Sequence, residues 1–151
     1  MAFETSLSVR FGDEDHAGIV YYPRFLDFFH RAFEDFFNEQ GYPYRFVLDE
    51  DRTGWPAVNV QVDFHSPLRF GDLFEIGVQV ARLGTKSATF LYRGRVADRA
   101  VATGRITVAC VDMQTFEPKP IPPHYRLLFE RHLQLEAPEG APPERPRRVA
   151  R

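Results

Sequence analysis

The residues of this chain that could do chemistry cluster at positions 11–23, where an acidic run and a glycine precede an apolar, aromatic segment. Asp15 is the best-placed carboxylate, because Ala17 and Gly18 permit a tight turn beside it. A carboxylate can attack a carbonyl carbon or activate a water molecule, and unpaired N–H groups at a helix start can hold the resulting oxyanion. The spacing therefore predicts the two halves of an acyl-transfer site.

Asp13 and Glu14 belong to the same acidic run, which on spacing alone could equally be a solvated loop. The functional interpretation requires one carboxylate at a helix N-terminus, where the helix dipole favours its charged form. His16 follows Asp15 directly, but a loop histidine beside three acids is more often a surface ion partner than a catalyst. Its role stays open at this point.

Patterns for other chemistries are absent from the sequence. There is no Gly-x-Ser-x-Gly, no glycine-rich phosphate loop and no dinucleotide fingerprint. The five histidines show no metal-ligand spacing. The single cysteine, Cys110, lies in an alternating strand-like segment and is predicted to be a buried, inert thiol. We therefore expect no metal and no cofactor.

The composition fits one soluble domain, since the 151 residues are 44% hydrophobic and 26% charged. The formal net charge of −2 gives no general attraction to nucleic acid or membrane. The start of the chain lacks the pattern of a secretory signal, and no stretch approaches the roughly 18 apolar residues of a membrane span. These features predict a cytoplasmic protein.

Two predicted elements flank the acidic segment and would position it. Residues 3–11 alternate between apolar and polar side chains, which predicts a strand. From Pro23, which suits a first helical turn, apolar residues recur at spacings of three and four as far as Gln40, and Gly41 is the predicted stop. The stripe consists of Phe25, Phe28, Phe29, Ala32, Phe33, Phe36 and Phe37. It predicts a helix that packs against a large apolar surface.

The middle of the chain predicts a sheet. After a polar loop at 41–54, four segments have strand-like patterns and breaks short enough for antiparallel neighbours, namely 55–64, 72–83, 86–97 and 99–113. The apolar side of the first segment is formed by Val58, Val60, Val62 and Phe64. The order predicts an α+β fold, in which one long helix is wrapped by a curved antiparallel sheet of about five strands.

The C-terminal part is predicted to contain a short helix at 124–135 and a flexible tail, rich in Pro and Arg, at 137–151. Residues 1–136 are therefore expected to form a single domain, without an internal repeat. Because one helix covers only part of a sheet face, we expect a sheet edge or face to pair with another subunit.

Two blocks of residues carry a resemblance to a known family. The run 11–25, with Asp15, Gly18, an aliphatic pair and aromatic residues before the helix, resembles the signature of the 4-hydroxybenzoyl-CoA thioesterase family of hotdog-fold thioesterases. Residues 64–72 resemble that family's turn between its second and third strands, which carries a Pro and a Gly-Asp. The resemblance covers about residues 5–115 and implies a hotdog fold.

The resemblance implies an acyl-CoA thioesterase that hydrolyses an aromatic or short-chain acyl-CoA to a free acid and CoA. By this resemblance Asp15 is the catalytic carboxylate, as nucleophile or general base, the Tyr22 backbone N–H polarises the thioester carbonyl, and Gly18 lets the backbone approach. The family uses no metal or redox cofactor, and its members are dimers, often tetramers, with sites at subunit interfaces. We therefore expect acyl-CoA and further copies of this chain as partners, without nucleic acid or membrane.

Basic residues at turns are candidate contacts for the phosphates of CoA. Arg82 and Lys86 flank one predicted turn, and Arg69 lies in the second block of the resemblance. Two alternatives to this assignment remain. A helix carboxylate, Glu34 or Asp27, could replace Asp15 as in another hotdog branch, although Glu34 lies on the charged side of the helix. The chain could also be a non-catalytic module that binds acyl-CoA or an acyl carrier.

Overall fold

Ten helices and strands are found in the computed structural model, which describes residues 2–134. In chain order they are β1 Phe3–Ser8, α1 Arg24–Glu39, α2 Tyr44–Asp49, β2 Thr53–Gly54, β3 Ala57–Phe64, β4 Leu73–Leu83, β5 Ser87–Val96, β6 Arg99–Ala109, β7 Val111–Asp112 and α3 Pro123–Arg131. The predicted tail at 137–151 lies outside the described residues, as do both ends of the predicted domain, residue 1 and residues 135–136.

The main sheet has five antiparallel strands in the order β1-β4-β5-β6-β3, and β2 pairs with β7 in a separate two-stranded ribbon. The long helix α1 packs on one face of the main sheet, where its aromatic rings meet those of β4 and β5. The predicted α+β architecture, one long helix against five antiparallel strands, is confirmed. None of the helices within residues 2–134 has the length and apolar character needed to span a membrane.

Helix α1 begins after Pro23 and ends just before Gly41, close to its predicted limits. Gly41 has a φ of +86°, a backbone conformation that favours glycine and ends the helix. All seven residues of the predicted apolar stripe are buried. The burial of this stripe against the sheet, rather than helix propensity, accounts for the stability of the helix.

Gly104 sets the spacing between α1 and the sheet, and Gly94 makes room for a ring of the neighbouring strand β4. A Cβ at Gly104 would lie 2.6 Å from the Phe29 ring, and a Cβ at Gly94 would lie 2.3 Å from the Phe74 ring. Any side chain at either position would displace an aromatic ring of the core. The Phe29 ring also stacks on Tyr92, with centroids 5.1 Å apart. The rings therefore hold the helix at one position along the strands.

We name the two ends of the sheet after an aspartate found at each. The Asp15 end contains the end of β1, the start of β4, the end of β3 and the start of α1. The Asp51 end contains the end of β4, the start of β5, the end of β6 and the start of β3. Strand β4 connects the two ends through eleven residues, a length of roughly 33 Å.

Strand β3 is an open edge of the main sheet. Val58, Val60 and Phe64, which were predicted to form its apolar side, are 63%, 46% and 51% exposed. The residue types follow a strand pattern, and the Phe64 ring meets Phe25 of α1 with centroids 5.1 Å apart, but no element within residues 2–134 covers Val58 and Val60. An exposed apolar strand edge of this kind favours pairing with a second strand.

The structure corrects three details of the predicted elements. Phe11 does not continue β1 but begins a single 3-10 turn, Phe11–Asp13, and its ring is exposed. The predicted polar loop at 41–54 contains α2 and β2, and Val47 of α2 is buried. The predicted strand at 99–113 is interrupted between β6 and β7. A helix of six residues and strands of two are too short for sequence periodicity to reveal.

Candidate active site

Asp15 lies in an exposed turn between the 3-10 turn and α1. Its carbonyl oxygen accepts the Gly18 N–H at 3.0 Å, and its own N–H donates to the Ile19 carbonyl at 3.0 Å. Gly18 has a φ of +80°, and a Cβ there would meet no atom within 4 Å. Glycine is therefore required by the backbone conformation, not by a lack of space.

The Asp15 carboxylate has one hydrogen-bond partner among residues 2–134. Its Oδ1 accepts the Ala17 N–H at 2.8 Å, inside the same turn. This bond orients the carboxylate and leaves the other oxygen open to solvent. A carboxylate held in this way can act as a nucleophile or accept a proton from water.

The backbone N–H of Tyr22 is an open donor at the start of α1. The N–H groups of Arg24 and Phe25 donate to the carbonyls of Tyr21 and Tyr22, at 2.8 Å and 3.2 Å, and Pro23 has no N–H. The Tyr22 N–H itself finds no acceptor within the described part of the chain. An open donor at a helix N-terminus, where the dipole is positive, is suited to a developing negative charge.

An open cleft of about 300 Å³ lies next to Tyr22. It is lined by Ile19, Val20, Tyr22, Phe25, Phe64, His65, Ser66, Pro67 and Leu68. The Val20 N–H donates to the Leu68 carbonyl at 2.8 Å, so the two blocks of the family resemblance meet here. Asp15 is adjacent in sequence but is not among the lining residues of this single chain.

The sequence Arg-Phe-Gly-Asp occurs twice, at 10–13 and 69–72. Both copies form a four-residue turn closed by the same two hydrogen bonds, but their backbones differ, since Gly71 has a φ of +89° and Gly12 lies in the 3-10 turn. The Asp N–H donates to the Arg carbonyl, at 3.0 Å for Asp13 and 3.1 Å for Asp72. The Asp Oδ2 accepts the Arg N–H, at 2.8 Å in the first copy and 2.9 Å in the second. We call these segments the twin turns.

Each twin turn is also tied to the start of another element. Asp13 Oδ1 lies 3.7 Å from Nε of Arg24 in α1, and Asp72 Oδ2 lies 3.7 Å from Nη2 of Arg99 in β6. The Asp13 carbonyl accepts the Tyr21 N–H at 3.3 Å. Asp13, for which the sequence analysis predicted no separate role, thus holds the segment that carries the open Tyr22 N–H.

The structure separates the three predicted contacts of CoA. Arg69 lies in the second twin turn, at the Asp15 end of the sheet. Arg82 is next to the end of β4 and Lys86 immediately precedes β5, so both lie at the Asp51 end. All three side chains are exposed, but one chain does not bring them to one place.

The helix carboxylates of the alternative assignment take part in ion pairs on α1. Glu34 Oε1 lies 3.4 Å from His30 Nε2, and Asp27 Oδ2 lies 3.2 Å from Arg31 Nη2. His16 is exposed in the Asp15 turn. Glu34 lies in the middle of α1, where the backbone N–H groups are bonded within the helix. Its own helix therefore offers no open donor beside it that could hold an oxyanion.

A second aspartate, Asp51, forms a polar cluster that the sequence did not reveal. Its Oδ2 accepts a hydrogen bond from the Tyr125 hydroxyl and lies 2.8 Å from His124 Nε2. Partial burial opposes the charge of Asp51, but these hydrogen bonds outweigh it, so the pKa of this carboxyl lies below its usual value. The cluster joins the segment after α2 to α3, which are more than 70 residues apart in sequence.

Cys110 is buried, as predicted, and burial raises the pKa of its thiol to about 11. A thiol in this state is protonated at neutral pH and unreactive. Within residues 2–134, no group of three or more His, Cys, Asp or Glu side chains is arranged to hold a metal ion.

Comparison with known proteins gives consistent matches over most of the chain. A family profile described as the thioesterase-like superfamily matches residues 9–129. A 1,4-dihydroxy-2-naphthoyl-CoA hydrolase from Synechococcus elongatus is 33% identical over 115 residues, which cover 76% of this chain and 85% of the relative. The acyl-CoA thioesterase YbgC of Haemophilus influenzae is 26% identical over 134 residues, or 87% of this chain and 96% of the relative.

Solved structures agree with this. A thioesterase superfamily protein from Jannaschia sp. CCS1 is 29% identical, with a TM-score of 0.84 over 88% of this chain and 94% of that chain. BH1999, a gentisyl-coenzyme A thioesterase, is also 29% identical, with a TM-score of 0.76 over 82% of this chain and 99% of that chain. The predicted hotdog fold is confirmed by these similarities together with the helix and sheet order.

Proposed function

The chain belongs to the thioesterase-like superfamily, and from this premise we propose that it hydrolyses an aromatic acyl-CoA to the free acid and CoA. It is a thioester hydrolase, because its relatives are named as CoA thioesterases and hydrolases. No observation supports the alternative of a non-catalytic binding module. Membership of the 4-hydroxybenzoyl-CoA branch stays a prediction, because the relatives named above carry other acyl groups.

The observation that carries this proposal is the open Tyr22 N–H at the start of α1. It adjoins an apolar cleft, and the turn that presents the Asp15 carboxylate precedes it by only a few residues. A thioester carbonyl that points its oxygen at this donor would leave its acyl group in the cleft. The arrangement supports an acyl-transfer site better than any other chemistry that these residues could perform.

In the proposed reaction, a carboxylate oxygen of Asp15 attacks the thioester carbonyl carbon. The carbonyl oxygen becomes an oxyanion that the Tyr22 N–H holds, and a donor of this kind contributes about 3 kcal/mol to transition-state stabilisation. Collapse of the oxyanion breaks the C–S bond, expels the CoA thiolate and leaves a mixed anhydride, which water then hydrolyses. As a general base, Asp15 would instead take a proton from the water that attacks the carbonyl carbon.

An aromatic acyl group fits the lining of the cleft. Tyr22, Phe25 and Phe64 contribute aromatic rings to it, and Ile19 and Leu68 add aliphatic surface. Aromatic rings bind one another by edge-to-face or offset contacts beyond simple burial. The naphthoyl and gentisyl groups in the names of two relatives are aromatic as well.

We further propose that the active unit is at least a dimer formed through the open edge of β3. A two-fold axis at this edge would cover the exposed Val58, Val60 and Phe64 and pair the two β3 strands. It would also place the Asp51 end of one subunit beside the Asp15 end of the other. Arg82 and Lys86 could then contact a CoA bound at the other subunit. The tetramer and the cytoplasmic location stay predictions.

A panel of acyl-CoA thioesters with a free-thiol assay tests the proposed function. The panel contains benzoyl, hydroxybenzoyl, dihydroxybenzoyl and naphthoyl thioesters, with acetyl, isobutyryl and hexanoyl thioesters for comparison. We expect the highest kcat/KM among the aromatic members. Turnover confined to aliphatic thioesters would reject the aromatic assignment, and no turnover on any thioester would reject the function.

Light scattering at micromolar concentration tests the assembly. We expect at least a dimer, and Val60→Asp, which puts a charge on the open strand edge, should shift the mass towards that of a monomer. A monomeric wild-type protein with full activity would contradict a site shared between subunits. Ser6→Asp, on exposed β1 at the opposite edge of the sheet, serves as the control for the added charge.

A further inference from the structure

The twin turns present two phenylalanine rings to solvent beside the Asp15 turn. Phe11 is 81% exposed and Phe70 is 56% exposed, and the two rings meet edge to face with centroids 5.9 Å apart. Neither ring belongs to the hydrophobic core. Paired exposed aromatic rings leave apolar surface in water, which is typical of a surface that a ligand or partner covers.

Arg10 and Arg69, each directly before a phenylalanine, add positive charge to the same surface. Both side chains are exposed, and neither guanidinium has an ion-pair partner in the described range 2–134. The neighbouring Asp13 and Asp72 form no ion pair with these two guanidinium groups within residues 2–134. Those carboxylates accept the backbone N–H groups of the two arginines and form ion pairs with arginines at the starts of α1 and β6.

We propose that the twin turns bind the nucleotide end of CoA, with the phenylalanine rings against the adenine and the two guanidinium groups on the phosphates. This inference rests on the proposed function, because it concerns the same substrate. Nucleobases stack on aromatic side chains, and guanidinium groups bind phosphate oxygens through paired hydrogen bonds. A surface with two aromatic rings and two guanidinium groups suits a base together with phosphates better than a phosphate alone.

The position of the twin turns agrees with this role. The first turn ends at Asp13, two residues before Asp15, and the Asp13 carbonyl holds the Tyr21 N–H at 3.3 Å. A thioester with its carbonyl at Tyr22 can therefore extend its pantetheine arm to Phe11 and Phe70 on the same chain. Arg82 and Lys86 lie at the other end of the sheet and can contribute only across a subunit interface.

A second copy of this chain is the competing occupant of the phenylalanine pair. A protein interface at this place would require acidic groups opposite Arg10 and Arg69, and it would bury Phe11 and Phe70 in every oligomer. It would then change the mass of the assembly when these rings are removed. Nucleotide binding would leave the mass unchanged, so the two occupants give opposite results in one measurement.

The test combines calorimetry with adenosine 3′,5′-bisphosphate and kinetics on two thioesters of one acid, the CoA thioester and the N-acetylcysteamine thioester. In the double variant R10A/R69A we expect nucleotide affinity to fall, and KM for the CoA thioester to rise, by roughly tenfold for the loss of about 1.4 kcal/mol. The KM for the N-acetylcysteamine thioester should not change, because that thioester lacks the nucleotide. F11A/F70A should act in the same direction.

Arg45→Ala is the matched control, since it removes an exposed arginine from α2 at the other end of the sheet. R82A/K86A tests the rival placement of the nucleotide. The proposal is overturned if wild-type protein does not bind the nucleotide, if only R82A/K86A weakens binding, or if F11A/F70A changes the mass of the assembly. If wild-type protein binds the nucleotide and R10A/R69A does not, the inference is supported even if no thioester is hydrolysed. The absence of hydrolysis would reject only the proposed function.

Discussion

Asp15 and Asp51 lie at opposite ends of the same sheet and differ in what surrounds them. Asp51 accepts hydrogen bonds from side chains of a distant helix, and these bonds lower its pKa. Among residues 2–134, the Asp15 carboxylate bonds only the backbone of its own turn, and one of its oxygens is left open. A carboxylate whose neighbours satisfy it contributes to stability, whereas one left open is available for chemistry. The two aspartates therefore predict opposite responses to the same substitution.

The largest expected effect is on catalysis at the Asp15 end. Asp15→Asn keeps the size and the Ala17 hydrogen bond but removes the nucleophilic charge and the basicity. We expect kcat to fall about 10²-fold or more, with little change in melting temperature or in acyl-CoA binding. Steady-state kinetics and thermal unfolding measure the two quantities.

Glu14→Gln is the control in the same acidic run and should keep turnover close to wild type. Glu34→Gln tests the helix carboxylate. If Asp15→Asn keeps near-normal turnover while Glu34→Gln loses it, the catalytic carboxylate has been assigned to the wrong element, although the fold and reaction class would stand.

The next effect is on stability at the Asp51 end. Asp51→Asn removes the charge that His124 and Tyr125 contact, and we expect the free energy of unfolding to fall by roughly 1–3 kcal/mol. The kcat should stay near wild type, because within residues 2–134 of one chain the Asp51 cluster has no hydrogen bond to the Asp15 turn. Urea unfolding followed by circular dichroism gives the loss.

Asp49→Asn is the matched control two residues away, where an exposed ion pair with Arg45 should contribute little. A large loss of kcat in Asp51→Asn, with stability intact, would show that the Asp51 cluster takes part in catalysis. The contrast between the two aspartates would then fail.

Substitution of Asp13 should affect both kcat and stability, each by an intermediate amount. Asp13→Asn can still accept the Arg10 N–H but loses the charge near Arg24, so the segment before α1 is held less firmly. We expect kcat to fall several-fold, with KM nearly unchanged and a small loss of melting temperature. Asp27→Asn is the control, because it removes a charge from the first turn of α1 itself. It should leave kcat near wild type.

Acid titration should reveal the smallest difference. The folded pKa of Asp51 is depressed below its ordinary value of 3.8, so the stability it contributes is present above that pH and is lost as pH falls through the folded pKa. Wild-type protein should therefore lose more stability below about pH 4 than Asp51→Asn does. Parallel stability curves for the two proteins across this window would contradict the pKa assignment.

Much of the fold could be predicted from the sequence because its strongest signals are periodic. The stripe of α1 repeats over four turns, and strands β4 to β6 alternate over ten or more residues each. The short elements α2, β2 and β7 carry too few residues for a period. The edge position of β3 was also hidden, because alternation shows which side chains share a face but not what covers that face.

Some features of the candidate site could likewise be predicted from the sequence and others could not. Asp15, Gly18 and Tyr22 could be proposed because local spacing and the family resemblance converge on one short run. The separation of Arg69 from Arg82 and Lys86 could not, because it depends on strand direction over the whole sheet. The Asp51 cluster joins residues distant in sequence, and no local pattern encodes such a contact.

Gly104 fixes the position of α1 along the sheet. The ring of Phe29 in α1 occupies the gap left by the missing side chain of Gly104, so a shift of α1 by one turn, about 5.4 Å, would require this ring to leave the gap. The oxyanion donor at Tyr22 is therefore located by packing about two turns along α1 as well as by the hydrogen bond between the Tyr21 N–H and the Asp13 carbonyl. The position of the donor relative to the reacting carbonyl therefore depends on the contact between the helix and the sheet. Gly104→Ala should displace the donor without altering any residue that contacts the substrate.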